Sequence, residues 1–323
     1  MTAKPRILVT GASGFIGQHL VRRLSERGYL VRAAARQPVI FDDPNVEGIA
    51  LGDMSRSFAA EYVVRGVDAV IHAAGMAHAR PGLPDAAYTA INVDATRQLA
   101  RAARAARVKR FVLMSSVRAQ VGAVHDGIVT EDTPANPTNA YGRSKIAAEA
   151  LTADLLAGSN TQWTVLRPVL VYGSGVRGNM ATLMRLAASP YPLPFAAMKG
   201  RRSLLSISNL IAAIEHVLQA EAARDATFIV ADSAPVTIAD MLRALRKGCG
   251  RASMLMPMPE AAIVAALRKA GKGEIAELLG GDLIVDAARL RQTGWQPAEA
   301  TADALASAMR ERAAATDTDR TRH

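Results

Sequence analysis

The sequence predicts an α/β fold built on a doubly wound parallel sheet, and three observations carry that reading. Short apolar, β-rich runs alternate with helical-period segments as far as Gly173. The first of these runs stops at a glycine-rich turn, and a helix follows at once. Half of the 323 residues are hydrophobic but only 4% are aromatic, so the apolar content sits in Ala, Val, Leu and Ile, which suits helices packed closely on a parallel sheet. Beyond Gly173 the alternation ends. The expected architecture is therefore a Rossmann-type sheet with a smaller, mainly helical C-terminal substrate domain.

Taken in order, Arg6–Thr10 is the first strand and Gly11-Ala-Ser-Gly-Phe-Ile-Gly17 the turn; Ile16, Leu20, Val21 and Leu24 then recur at helical spacing until Gly28. Small residues let a backbone approach a pyrophosphate, and a helix N-terminus offers it free N–H groups and the positive end of a dipole. Tyr29–Arg36 reads as the second strand. Dinucleotide sites that take NAD(H) end this strand with an acidic residue for the ribose 2′-hydroxyl. Here Ala35 and Arg36 stand there, with Arg32 on the same strand face. A guanidinium accepts a 2′-phosphate, so NADP(H) is favoured over NAD(H). Further units are Gly48–Asp53, a helix around 58–64, Asp68–Gly75, a long helix opened by Asn92, the strand Arg110–Ser116, a helix from Tyr141, and Trp163–Gly173.

After a Gly- and Pro-rich stretch come strand-like Ser203–Ser208, a helix over 209–220, strand-like Thr227–Ala231, and helices around 238–247, 261–270, 274–279 and 302–313. The division expected is a nucleotide-binding domain over 1–172 with a returning segment at about 203–231, a substrate domain from 173–202 and 232–314, and a flexible tail at 315–323.

Composition excludes several functions. The single cysteine, Cys249, forbids an internal disulfide and argues against a metal cluster, so no metal is expected. No apolar run is long enough to span a bilayer, and the N-terminus leads straight into a strand; a cytoplasmic protein without a membrane partner is expected. The net charge of +10 suits an acidic ligand. Its densest stretch, Arg101 to Arg110, reads as the solvated face of a helix, because no aromatic platform accompanies it; nucleic acid is not an expected partner.

Tyr141 and Lys145 lie four residues apart at a helix start, on one face. A phenol is a weak base at neutral pH, and a fixed ammonium nearby lowers its pKa, so the pair is a candidate proton-transfer device.

Gly11-x-x-Gly14-x-x-Gly17, Asp53, His72-Ala-Ala-Gly75, Asn92, Ser115-Ser116 and Tyr141-Gly-Arg-Ser-Lys145, in this order, resemble the extended short-chain dehydrogenase/reductase family. Gly178-Asn179-Met180 and Arg201–Asn209 are similar to its branch of nucleotide-sugar epimerases, dehydratases and 4-keto reductases, in particular those of surface-polysaccharide sugar synthesis. The resemblance implies Tyr141 as acid/base at the sugar C4 oxygen, Ser116 as hydrogen-bond partner of that oxygen, and Lys145 on the nicotinamide ribose. It implies a cofactor site of Gly11, Ser13, Gly14, Phe15, Ile16, Gly17, Arg36, Asp53, Met54, Ala73, Ala74, Gly75, Asn92, Tyr141, Lys145 and Pro168. For the substrate it implies Ser116, Arg118, Asn179 and Arg202, and it implies a homodimer; His78, three residues after Gly75, is a further substrate candidate from its place facing the cleft. His72 reads as a core histidine. Dehydratases of the family carry Asp-Glu after the catalytic Ser/Thr; Val117-Arg118 stand here, against dehydration. Arg167 is followed by Pro168-Val169-Leu170 rather than completing Arg-x-x-Asn, which leaves room for a steroid- or flavonoid-type ketone. Reduction is favoured and 4-epimerisation is the alternative; a non-catalytic NADP(H) sensor is the reading from another class.

Overall fold

The structure is a computed structural model and describes residues 4–76 and 83–320. Seven parallel strands form its main sheet: β1 (Arg6–Thr10), β2 (Leu30–Ala35), β3 (Val46–Ala50), β4 (Ala69–His72), β5 (Arg110–Met114), β6 (Gln162–Pro168) and β7 (Ala226–Val230). Their order is β7-β6-β5-β4-β1-β2-β3. The direction of winding reverses between β1 and β4, the place where open sheets of this kind take ligands at the carboxyl ends of their strands. Both faces of the sheet are buried. In β1, Ile7 and Val9 join Leu20, Leu24 and Ile214 on one side, while Leu8 joins Leu99, Ala103 and Leu156 on the other.

Several elements differ from the sequence reading. The run 163–173 is two strands, because Pro168, lacking an N–H, ends β6. Leu170–Tyr172 then pairs with Leu204–Ser206 in a separate parallel ladder. Ser206 closes that strand by capping the helix Ile207–Gln219 through Asn209 N (3.1 Å), so the helix starts two residues before Asn209. Asn92 opens no helix. It sits within a π-helical turn, Thr89–Asp94, continuous with the helices Asp85–Tyr88 and Ala95–Ala105.

The C-terminal region has its own core, including Met180, Met184, Leu242, Leu245, Leu305 and Met309. It is tied to the sheet domain by Ile284–Val285, which pairs with Ile128–Val129. The last helix, Thr301–Arg320, runs through most of the segment expected to be a tail. Its alanine-rich sequence holds no Gly or Pro to stop it.

Candidate active site

The glycine turn shows why each small residue is needed. Gly11 has φ +73°, and a Cβ on it would lie 2.7 Å from Ala74 N; one on Gly17 would lie 2.1 Å from Gly11 O. Turn, strand end and helix thus close to van der Waals limits. Gly14 is the N-cap of the helix Phe15–Glu26, which has neither a side-chain cap nor an acid in its first turn. Its leading N–H groups, with exposed Ser13 and half-buried Phe15 and Ile16 beside them, make a cradle that fits a dinucleotide pyrophosphate. At the far end, Asp53 is exposed and accepts from Ser55 N (3.0 Å). Arg36 is exposed at the end of β2 and close enough to help hold the Asp53 pKa down, after that hydrogen bond. Met54 leans on the core. Arg32 does not join Arg36. It is buried, pairs with Glu47 (3.0 Å) and donates to the carbonyls of Val63 and Arg65 (both 2.9 Å), so it is a packing residue.

The residues expected to be catalytic stand on and beside the helix Ala140–Leu156. Asn139 caps it by accepting from Gly142 N (2.9 Å). Gly142 must be glycine, because a Cβ would lie 2.2 Å from Arg118 O. That contact brings the turn after Ser116 against the turn that carries Tyr141. Ser116 Oγ accepts from Arg118 N (3.2 Å), and its own O–H is directed at the Tyr141 hydroxyl. Burial raises the Tyr141 pKa above the ordinary phenol value; the Ser116 hydrogen bond and the Arg118 charge pull it partly back.

The expectation that Lys145 lowers the Tyr141 pKa is corrected here. Lys145 Nζ is buried, donates to Met114 O at the end of β5 (2.8 Å), and has its own pKa lowered to about 8 by burial, with Glu149 opposing. The cation acting on the phenol is Arg118. Gly75 lies against both Lys145 Nζ and Asn92 Oδ1, with 3.2 and 2.9 Å to a would-be Cβ, so the Ala73–Gly75 loop reaches Lys145. Asn92 is 2% exposed. Its Oδ1 accepts from Met76 N (2.8 Å) and its Nδ2 donates to Ser144 Oγ (2.9 Å), so it joins that loop to the Tyr141 helix.

Two buried networks beneath the site were not read from the sequence as site features. Glu149 takes the Arg167 guanidinium (Nη2 to Oε2, 2.6 Å) and the Ser115 hydroxyl. Arg167 is therefore engaged below Lys145 as a buried partner of Glu149. The i+4 spacing of Lys145 and Glu149 was the available signal. The second network runs through His72. Ala74 N–H donates to Thr10 Oγ1, Thr10 O–H to His72 Nδ1, His72 Nε2–H to Thr96 Oγ1, and Thr96 O–H to Asn92 O. This chain of donors assigns the Nε2–H tautomer of a satisfied core histidine.

Burial, reinforced by the Lys145 charge, lowers the His72 pKa to about 3. The unfolded ring takes its proton near pH 6.5, so between about 6.5 and about 3 the unfolded state binds more protons, and stability falls as pH falls through that window. Denaturant titrations from pH 7 to pH 4 should show a loss approaching about 1.4 kcal/mol per pH unit from this group alone. His72→Gln should flatten that part of the slope; an unchanged slope would remove His72 as its source.

Among the residues expected at the substrate, burial lowers the pKa of both Arg118 and Arg202, and the charge of Glu277 opposes the shift in each. Arg202 donates Nε to Leu278 O (2.8 Å) and Nη1 to Ala123 O (3.1 Å), which leaves a buried Nη2 without a partner. Asn179 is exposed in the first turn of the helix Gly178–Ala188. Pro168 is buried at the end of β6. His78 lies outside the described residues. The described residues contain no group of His, Cys, Asp and Glu able to hold a metal ion.

The profile of the family described as the NAD dependent epimerase/dehydratase family matches residues 7–231. A UDP-glucose 4-epimerase of Vibrio cholerae is 34% identical over 299 residues, covering 90% of each chain. Among solved structures, MoeE5 in complex with UDP-glucuronic acid and NAD superposes with a TM-score of 0.76 at 24% identity, over 96% of this chain and 99% of that one. A UDP-glucuronic acid 4-epimerase from Bacillus cereus in complex with NAD gives 0.75 at 19% identity, with the same coverage.

Proposed function

The chain belongs to the NAD-dependent epimerase/dehydratase family, and from that premise we propose that it is an NAD(P)-dependent oxidoreductase acting at C4 of a nucleotide-diphospho-sugar, working as a 4-keto-sugar reductase. The observation that supports reduction is Arg36, exposed just past the end of β2 where no acid stands, which suits a reduced phosphorylated cofactor drawn from a pool; burial raises the Tyr141 pKa, in keeping with a phenol that donates a proton. When bound, the cofactor supplies the hydride to C4. Tyr141 gives its phenolic proton to O4, and Ser116, whose O–H is placed beside the phenol, donates to the same oxygen while negative charge builds on it. Arg118 then faces the phenolate, until a solvent proton restores the phenol. Lys145 spends one N–H on Met114 O and keeps two for the ribose hydroxyls. Val117-Arg118 supply no acid and base for expelling water, so the reaction stops at the alcohol.

Arg36, exposed at the end of β2 with no acid in its place, suits the 2′-phosphate of NADPH. A homodimer in surface-polysaccharide sugar synthesis belongs to the same reading. Purified enzyme should oxidise added NADPH only when a nucleotide 4-keto-sugar is present, and Arg36→Ala should raise the NADPH KM by about tenfold to a hundredfold while changing that for NADH little. Epimerisation is the second reading, favoured by the Vibrio cholerae relative. Interconversion of UDP-hexose epimers without added cofactor would establish it and exclude the reductase.

A further inference from the structure

We propose that the outer face of the C-terminal domain, built by the loops 189–193 and 250–258, docks on an anionic phospholipid surface. Tyr191 is 71% exposed, and Met254, Met256 and Met258 are 47%, 49% and 41% exposed. The two loops run side by side: Leu193 N donates to Met254 O (3.0 Å) and Met256 N to Leu193 O (2.9 Å). The three methionines stand at alternate positions and all three are exposed, while Leu193 and Leu255 between and beside them pack on the domain core.

The protein holds this display in place at a cost. Arg246 is 0% exposed, and it clamps both loops, donating to Ser189 O (2.7 Å), Tyr191 O (2.9 Å) and Ser253 O (3.1 Å). Met254 sits at φ +41°, a backbone conformation costly for a residue with a side chain. An immobilised cluster of flexible, polarisable side chains is a contact surface.

Charge selects the occupant. Residues 238–272 contain seven Lys/Arg and two Asp/Glu, and both acids are engaged: Asp240 with Arg243 (2.9 Å) and Glu260 with Lys199 N (3.3 Å). Lys247, Arg251, Arg268 and Lys269 stay exposed. A second copy of a chain with charge +10 would be repelled by such a segment, whereas exposed apolar side chains carried in a stretch of chain rich in exposed cations suit the interface of an anionic bilayer. No helix among the described residues is long and apolar enough to cross a membrane, and peripheral docking needs none.

Co-sedimentation with vesicles of phosphatidylglycerol and phosphatidylcholine, against phosphatidylcholine alone, tests this on the full chain. Binding to the anionic vesicles should be at least about tenfold stronger and weaken with salt. The triple replacement Met254→Ser, Met256→Ser, Met258→Ser should abolish it with thermal unfolding unchanged, and Lys247→Ser with Arg251→Ser should weaken it roughly fivefold per charge. Protein left in the supernatant, binding untouched by either set of changes, or a smaller sedimenting species for the triple variant without vesicles, which would make a second copy the occupant, overturns the proposal.

Discussion

Tyr141→Phe is expected to lower turnover by about a thousandfold or more while cofactor affinity stays within a few fold of the parent. The ring keeps its place, because the helix cap at Asn139 and the contact of Gly142 with Arg118 O do not involve the hydroxyl. What disappears is the phenolic proton, held beside both Ser116 and Arg118. Single-turnover oxidation of NADPH and a fluorescence titration of bound NADPH measure the two quantities separately. Equal turnover in the variant would remove Tyr141 from the chemistry and revive a cofactor-sensing role.

Glu149→Gln should have the largest effect on stability. Arg167 is 8% exposed and its guanidinium is held by both oxygens of Glu149, with Nε at 3.1 Å from each. Removing one member of a buried pair strands the other charge, which costs about 3–5 kcal/mol and lowers Tm by roughly 5–15 °C. Replacing both residues with Met should recover much of the loss, because a buried ion pair gains little over well-packed apolar side chains. The substitution also removes the negative charge that supports the protonated form of Lys145, whose pKa should then fall below about 8. A calorimetric scan showing an unchanged Tm would mean that water or another group compensates Arg167.

Much of the site was legible because its signals are local. The three glycines announce a close approach of backbone, and the structure supplies the obstructing atoms, Ala74 N and Gly11 O. The spacing of Tyr141 and Lys145 needs only helical geometry. The partners of those residues were harder to read. Arg32 and Arg36 stand four residues apart on or just past one strand and look equivalent, yet one is buried against Glu47 and the other faces solvent. Asn92 gave no local sign that its amide would join Met76 to Ser144, residues sixteen and fifty-two positions away.

By itself, the amino-acid sequence determined the alternation of strand and helix, the tight glycine turn after the first strand, the helical spacing of Tyr141 and Lys145, and the family. These follow from periodicity, from steric limits at glycine and from residue order, which short-range geometry controls. Only the tertiary structure decided that Arg118 rather than Lys145 supplies the charge facing the phenol, and that Arg167 is bound by Glu149. The physical reason is that a pKa and an ion pair depend on distance through space and on burial, and both are set by chain segments that meet only when the sheet and its C-terminal domain have closed around the site.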